Sequence, residues 1–254
     1  MGAGHAHALY RHGHSPVHRL PAHCKIVATL AFVLAVVSTP RTAVWAFGGY
    51  ALLLAAVAVA ARVPPGFLLR RMLVEVPFVV FAVLLPFLAE GPRVEWLGLS
   101  LSESGLWSAW NILAKGTLGV AGSVLLAATT ELRDLLLGLR RLRLPALLVQ
   151  IAAFMVRYLD VIAGELRRMR IAQASRGLDA RGVRQWGTLA RTAGALFIRS
   201  YERGERVHLA MLSRGYTGAM PDLDNGTATR PAQWAAAAAL PGAALLVCLM
   251  GWTL

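Results

Sequence analysis

Residues 42–61 read TAVWAFGGYALLLAAVAVAA, a stretch of twenty residues that contains no charged side chain. A helix needs about 20 mostly apolar residues to cross the hydrocarbon core of a bilayer, and about 17 can suffice. The composition of the whole chain agrees, since 57% of its 254 residues are hydrophobic and 15% are charged. An average soluble domain has about 45–50% apolar and about 25% charged residues. The stretch therefore predicts a membrane-spanning helix.

Four further apolar runs lie outward from this stretch, at residues 24–38, 72–89, 112–129 and 231–254. The runs at 24–38 and 72–89 are short or interrupted, but proline is tolerated in a spanning helix better than in a soluble one. Five such runs predict an all-α integral membrane protein with about five transmembrane helices. The count is six if residues 147–159 also enter the bilayer.

The runs divide the chain into four segments. Between the third and fourth runs, residues 90–110 carry three tryptophans, and this pattern indicates an interfacial loop with an aromatic belt. Glu75 and Lys115 lie near the ends of their runs, where a charged head can reach the membrane surface. The predicted segments are a histidine-rich tail at 1–23, a four-span region at 24–129, a cytoplasmic helical region at 130–230 and a last transmembrane helix at 231–254.

Charge predicts the orientation of the spans. The formal net charge is +13, and the loops assigned to the outside contain only Arg41 and Arg93 as cations. Lysine and arginine accumulate in short cytoplasmic segments of membrane proteins. We therefore expect a multi-pass protein of the bacterial inner membrane with a cytoplasmic N-terminus and an external C-terminus.

Most of the excess charge lies in the segment between the fourth and fifth runs. Residues 131–214 contain sixteen arginines and seven acidic residues, which gives a net charge of +9. Two long helices are predicted there. The first, at 145–175, starts at Pro145 and contains no further proline and only Gly164 as glycine. The second, at 183–213, has apolar or small residues that recur at steps of three and four. The apolar stripe of the second helix consists of Trp186, Leu189, Ala190, Ala193, Leu196, Phe197, Gly204, Val207 and Met211.

The two long helices end alike, in Ser175-Arg176-Gly177 and in Ser213-Arg214-Gly215. One interpretation is purely structural: an arginine in the last turn complements the helix dipole, and the following glycine adopts a left-handed cap. A matched pair in one arginine-rich segment favours an additional, shared role. The sequence leaves open whether Arg176 or Arg181 is the first of the two functional arginines, because Arg181-Gly182 follows closely.

These features resemble the transmembrane (T) component of energy-coupling factor (ECF) transporters, in its cobalt-type CbiQ branch. The resemblance rests on HRLPAHCK at residues 18–25, on residues 136–145, on Arg157-Tyr158 and on the two helix ends. The family's signature is a pair of Ala-Arg-Gly-like motifs at the ends of two coupling helices. This chain has serine in place of the alanine at both positions.

The resemblance implies a subunit that passes the motion of an ATPase to a separate membrane subunit, which binds the substrate. The implied partners are two ATP-binding subunits, a CbiM-like substrate-binding subunit, a small accessory membrane subunit and membrane lipid, but not nucleic acid. ATP would be bound by the ATPases, with no cofactor in this chain. The implied cargo is cobalt or nickel, and a vitamin such as biotin is the alternative within the family. The implied ATPase contacts are Ser175, Arg176, Gly177, Ser213, Arg214 and Gly215, with Arg181 as a secondary contact.

The sequence contains no phosphate-binding GxxxxGK[ST] motif and no HExxH motif, so we do not expect an enzyme. A stand-alone channel or membrane enzyme is a weaker alternative, because its spans would need facing polar residues. The histidine-rich tail has two interpretations: imidazole binds transition metals, but a flexible tail also binds them adventitiously. The weak metal-ligand candidates are His5, His7, His12 and His14.

Overall fold

The computed structural model describes residues 10, 11, 13, 15–89, 92–96, 99–177, 186–218 and 230–253. It is helical apart from one short antiparallel hairpin, which pairs Arg93 with Ser102 and Trp96 with Leu99. The elements are α1 (Ala22–Ser38), α2 (Val44–Ala60), α3 (Pro65–Met72), a 3₁₀ turn (Leu73–Glu75), α4 (Val76–Leu88), β1 (Arg93–Trp96), β2 (Leu99–Ser102), α5 (Glu103–Thr129), α6 (Leu132–Arg141), α7 (Ala146–Ala174), α8 (Trp186–Leu212) and α9 (Pro231–Thr253).

The expected all-α membrane architecture is confirmed. Among the described residues, four helices are long and apolar enough to cross a membrane, at Pro65–Leu88, Glu103–Thr129, Ala146–Ala174 and Pro231–Thr253. The apolar helices α1 and α2 are shorter, with 17 residues each. The charged residues of α7 concentrate in its second half, so its apolar part is the first half.

Two sequence-based expectations were wrong about where a residue lies along its helix. Trp107 and Trp110 belong to α5 and not to a loop, because the Ser102 side chain accepts a hydrogen bond from the Gly105 amide and starts the helix early. Lys115 lies midway along α5 and not near its end. Glu75 is not near the end of a helix either, since Pro65–Leu88 is one continuous apolar helical segment around it. Its carboxylate is buried and accepts a hydrogen bond of 2.8 Å from the Thr117 hydroxyl.

The chain forms two compact units. The membrane unit contains the described residues up to 138 together with 230–253, which are helices α1–α5, most of α6 and α9. Its core includes Phe32, Phe47 and Tyr50, and the Tyr50 hydroxyl lies 2.7 Å from Thr39 Oγ1. The coupling unit contains the described residues 139–177 and 186–218, which include α7 and α8.

Within the membrane unit, α1 and α5 exchange lysine hydrogen bonds. Lys25, at the start of α1, donates to the Thr129 carbonyl at the end of α5 over 2.8 Å. Lys115, in α5, donates to the Val37 carbonyl at the end of α1 over 2.7 Å. Each helix therefore supplies a cation to the negative, carbonyl-rich end of the other. The start of α1 thus lies beside the end of α5.

Candidate functional site

The two Ser-Arg-Gly helix ends have the same backbone geometry. Gly177 has φ of +74° and Gly215 has φ of +81°, which is the left-handed region where glycine carries no Cβ penalty. The Gly177 amide donates to the Ala174 carbonyl and the Gly215 amide to the Leu212 carbonyl, both over 3.0 Å. The chain turns away from the helix axis at the same residue in both motifs.

The serines of the motifs also act alike. Ser175 Oγ donates to the Ala172 carbonyl, and Ser213 Oγ donates to the Ala210 carbonyl, each over 3.0 Å. At the end of α8, the Tyr216 amide donates to the Met211 carbonyl and completes a Schellman cap. The corresponding residue after Gly177 lies outside the described residues. The serines and glycines therefore satisfy the carbonyls at these two helix ends.

The side chains of the two arginines take no part in this capping, although their backbone amides donate to the Gln173 and Met211 carbonyls. Arg176 and Arg214 are exposed, and within the described part of the chain neither guanidinium forms a hydrogen bond or an ion pair. In the purely structural interpretation, each arginine stabilises its own helix end. Among the described residues no side-chain contact supports this interpretation, and only the helix dipole would contribute. Both guanidiniums are free to bind a partner. An arginine can form two parallel hydrogen bonds to a carboxylate or can bind several carbonyls.

Contacts between α7 and α8 run in antiparallel order. Gln173, near the end of α7, donates to Thr192 near the start of α8. Gln150, near the start of α7, donates to the hydroxyl of Tyr216 beyond the end of α8. The helices therefore pair along most of their length, with the two motifs at opposite ends of the pair.

The distance between the motifs follows from the helix rise. Arg176 lies three residues after Gln173, which contacts Thr192. Twenty residues separate Thr192 from Leu212, the last residue of α8, and at 1.5 Å per residue they span about 30 Å. The two free arginines lie beyond these residues at either end, so they are more than about 30 Å apart along the helix pair. One compact groove on a partner cannot bind both.

An ion-pair cluster joins the two helices between the motifs. Glu165 of α7 is 8% exposed, and its carboxylate oxygens accept from Arg199 over 3.1 Å and from Arg203 over 2.9 Å. The hydrogen bonds from Arg203 and then from Arg199 hold the pKa of Glu165 below its ordinary value. The cluster resists sliding of α7 along α8, because one buried carboxylate binds two arginines one turn apart.

This cluster was not identified from the sequence. Glu165 stands 34 and 38 residues before its partners, and no local pattern links such distant positions. The local pair Glu202–Arg206 was recognisable by its spacing, but it is exposed and 3.9 Å long. Exposed pairs of this kind contribute little to stability.

The apolar stripe of α8 divides between two environments. Leu196, Val207 and Met211 are half-buried, whereas Trp186 and Phe197 are each 70% exposed. His208 is exposed and packs edge-on against Tyr216, with ring centroids 6.5 Å apart. The exposed part of the stripe is a second surface of the coupling unit that is available for contact.

Some of the predicted site residues lie outside the described residues, namely Arg181 and the tail histidines His5, His7, His12 and His14. Across the described ranges, no group of three or more histidine, cysteine, aspartate or glutamate side chains is placed to hold a metal ion.

Comparison with known proteins identifies the family. Residues 13–223 match the model of CbiQ, described as a cobalt transport protein. The chain is 32% identical to an energy-coupling factor transporter transmembrane protein EcfT from Thermanaerovibrio acidaminovorans, over 87% of this chain and 84% of that protein. It is 29% identical to a cobalt transport protein CbiQ from Rhodobacter capsulatus, over 67% of this chain and 68% of that protein.

A third relative combines two components in one chain. This is a putative fused cobalt transport protein CbiMQ from Methanocorpusculum labreanum, which is 26% identical over 81% of this chain and 36% of that protein. The helical membrane architecture and the matched region together show that the chain belongs to the CbiQ family, the transmembrane components of energy-coupling factor transporters.

Proposed function

We propose that this chain is the coupling subunit of an ATP-driven importer and that Arg176 and Arg214 are its two anchors on the ATPase subunits. The observation that carries the proposal is the matched pair of helix ends. Each presents a free guanidinium after a serine-capped and glycine-capped last turn. The separation of more than about 30 Å favours one anchor on each of two ATPase subunits over two anchors on one subunit.

The helix pair between the anchors would transmit the motion. When the ATPases close on ATP, they move both arginines. Because the Glu165 cluster joins α7 to α8, this movement would displace the two helices together and would not separate them. The exposed apolar residues of α8 are a suitable surface for the membrane subunit that binds the substrate.

The proposed cargo is cobalt or nickel. The names of the family model and of the Rhodobacter relative support cobalt, and the fused relative supports a CbiM-like substrate-binding partner. In this proposal the chain is not an enzyme: ATP is bound by the partner ATPases and the metal by the substrate-binding subunit. Uptake of radioactive cobalt and nickel by cells that express all subunits, with biotin uptake as the comparison, tests the cargo.

The proposed location is the bacterial inner membrane with the N-terminus in the cytoplasm. The start of α1 lies beside the end of α5, and Arg11 and Arg71 flank Phe67 at distances of 5.9 and 5.3 Å from its ring. The Arg11 amide also donates to the Ala128 carbonyl, so these cations belong to the same end of the membrane unit. The positive-inside rule assigns that end to the cytoplasm.

The anchors are tested by co-purification of the ATPases with the variants R176A, R214A and the double variant. An arginine at the centre of an interface contributes about 2 kcal/mol or more, so each single variant should weaken binding roughly 30-fold. The matched control is R191A, which removes an exposed arginine from the side of α8. Normal assembly and transport in the double variant would refute the proposal.

A further inference from the structure

Two further helix ends carry arginine where glycine is expected. Among the described residues, Arg62 with φ of +55° and Arg143 with φ of +61° are the non-glycine residues in the left-handed region. A side chain with a Cβ is disfavoured there, and bulky residues seldom adopt this conformation. Such an outlier points to a function for the side chain, because glycine would fit the backbone better.

Both arginines occupy the same position of a Schellman cap. The Arg62 amide donates to the Val59 carbonyl, and the next amide donates to the Ala58 carbonyl. The Arg143 amide donates to the Arg140 carbonyl, and the next amide donates to the Leu139 carbonyl. This position strongly favours glycine, which the chain does use at the ends of α7 and α8.

The backbone at Arg62 is fixed while its side chain is free. Ala61 is 2% exposed and Val63 is 7% exposed, so both neighbours are anchored in the core of the membrane unit. Arg62 itself is exposed and, within the described residues, its side chain has no hydrogen bond or ion pair. The same is true of Arg143, which is exposed and whose side chain has no partner in the described ranges.

The position of Arg62 along its helix sets the depth of the guanidinium. The apolar helix α2 has 17 residues and is about 25 Å long, whereas the hydrocarbon core is about 30 Å thick. Arg62 follows its last residue by two positions, so the side chain starts at the edge of the hydrocarbon and must extend to the headgroups. Lipid phosphates lie at the depth of the headgroups and would supply a counter-charge to the guanidinium there.

Arg143 is in a comparable chemical setting. It follows the leucine-rich helix α6, which carries arginines at its end, and precedes the apolar first half of α7. A leucine-rich amphipathic helix with a basic end is typical of a segment that lies in the membrane surface. Guanidinium binds phosphate oxygens through paired, charge-assisted hydrogen bonds.

We propose that Arg62 and Arg143 bind the phosphate groups of anionic phospholipids at the membrane surface. The left-handed caps project both side chains outward, and at Arg62 the buried neighbours Ala61 and Val63 also anchor the backbone. The proposal does not depend on the ATPase anchors, because it concerns the chain in a bilayer alone.

The test uses the full chain in nanodiscs of phosphatidylcholine or of an equimolar mixture with phosphatidylglycerol. The measured quantity is the rise in unfolding temperature that phosphatidylglycerol causes. We expect R62G and R143G to lose at least half of this rise each, and the double variant to lose it entirely. In phosphatidylcholine alone, both glycine variants should unfold at the wild-type temperature or above it, because the disfavoured backbone conformation is relieved.

Three controls separate binding of the lipid phosphate from effects of the backbone, of overall charge and of free phosphate. R62N removes the charge but retains a residue that tolerates the left-handed region, so it should behave as R62G does. R191A removes one exposed charge elsewhere and should keep the full lipid effect. Inorganic phosphate added to phosphatidylcholine nanodiscs should not reproduce the stabilisation.

Three results would overturn the proposal. One is a glycine double variant that gains as much from phosphatidylglycerol as the wild type. Another is an equal loss of stability in both lipid compositions, which would make the arginines structural. The third is stabilisation of the wild type by free phosphate to the same extent as by phosphatidylglycerol, which would assign the arginines to a soluble ligand.

Discussion

The same substitution, glycine to alanine, should have opposite effects at the motif glycines and inside α8. At Gly177 and Gly215 an added Cβ meets no atom of the described residues within 4 Å, so these residues cause no steric clash. The cost is conformational, because φ of +74° and +81° is unfavourable for alanine by about 1–2 kcal/mol. At Gly194, in the interior of α8, the added Cβ also meets no atom in the part of the chain that the structure describes, and alanine should stabilise the helix by about 0.5–1 kcal/mol.

Hydrogen exchange at the end of α8 measures this difference directly. A penalty of about 1–2 kcal/mol corresponds to a roughly 5- to 30-fold change in the opening equilibrium. In G215A the amides of residues 215 and 216, which donate to Leu212 and Met211, should exchange faster by about that factor. G194A should leave them unchanged or slower, and G215N should be intermediate because asparagine tolerates this conformation.

The functional consequence follows if the capped end is the form that binds. The apparent affinity for the ATPase is then proportional to the fraction of molecules whose helix end is capped, so it falls as that fraction falls. G177A and G215A should each weaken co-purification, and G194A should not. The reasoning would be wrong if G215A and G194A changed exchange in the same direction, or if G215A uncapped the helix without affecting ATPase binding.

Two further predictions concern contacts that hold helices together. K25M should lower the stability of the membrane unit by about 1–3 kcal/mol, because it removes the lysine that donates to the Thr129 carbonyl in a buried contact. K115M should lower it less, because the contact of Lys115 with the Val37 carbonyl is exposed. Thermal unfolding in detergent compares the two variants, and equal losses of stability would contradict the argument from burial. The lowered pKa of Glu165 means that its contribution is complete above the ordinary glutamate pKa and is lost as the pH falls through the lowered one. The protection of the α7 and α8 amides, corrected for the pH dependence of intrinsic exchange, should therefore fall on acidification in the wild type. In E165Q this protection should be low at every pH. A pH profile in E165Q that matches the wild type would show that the cluster does not hold the two helices together.

The sequence predicted the helices well and their beginnings less well. Apolar runs indicate the part of a helix that lies in hydrocarbon, but a helix begins at its capping residue. In α5 this residue is Ser102, and the polar turns between it and Ile112 do not look like membrane sequence. Glu75 was misplaced for a related reason, since the run around it starts after the arginines of α3, although the helical segment starts at Pro65.

The helix ends of the candidate site were predictable because capping is local. Serine, arginine and glycine in a row determine the last turn without help from distant residues. The contacts of Glu165 depend on how α7 and α8 pair, and nothing in the sequence near Glu165 distinguishes it from the other acids of the segment. The left-handed arginines were also missed, because Arg62 and Arg143 look in the sequence like ordinary charges beside a helix end.

The chain's two lysines show why net charge alone is a weak guide to partners. Lys25 and Lys115 are both used inside the membrane unit, each on the end of a neighbouring helix. The last carbonyls of α1 have no partner within their own helix, so their hydrogen bonds must come from other parts of the chain. Lys115 binds the Val37 carbonyl and Trp252 binds the Ser38 carbonyl, so these two groups are satisfied from other helices. A compact ammonium suits this single-acceptor role, whereas the planar guanidinium suits the bidentate contacts proposed for the exposed arginines. The different uses of lysine and arginine in this chain therefore follow from the geometry of their charged groups. K115R keeps the charge, but we expect it not to restore the hydrogen bond to the Val37 carbonyl at the end of α1.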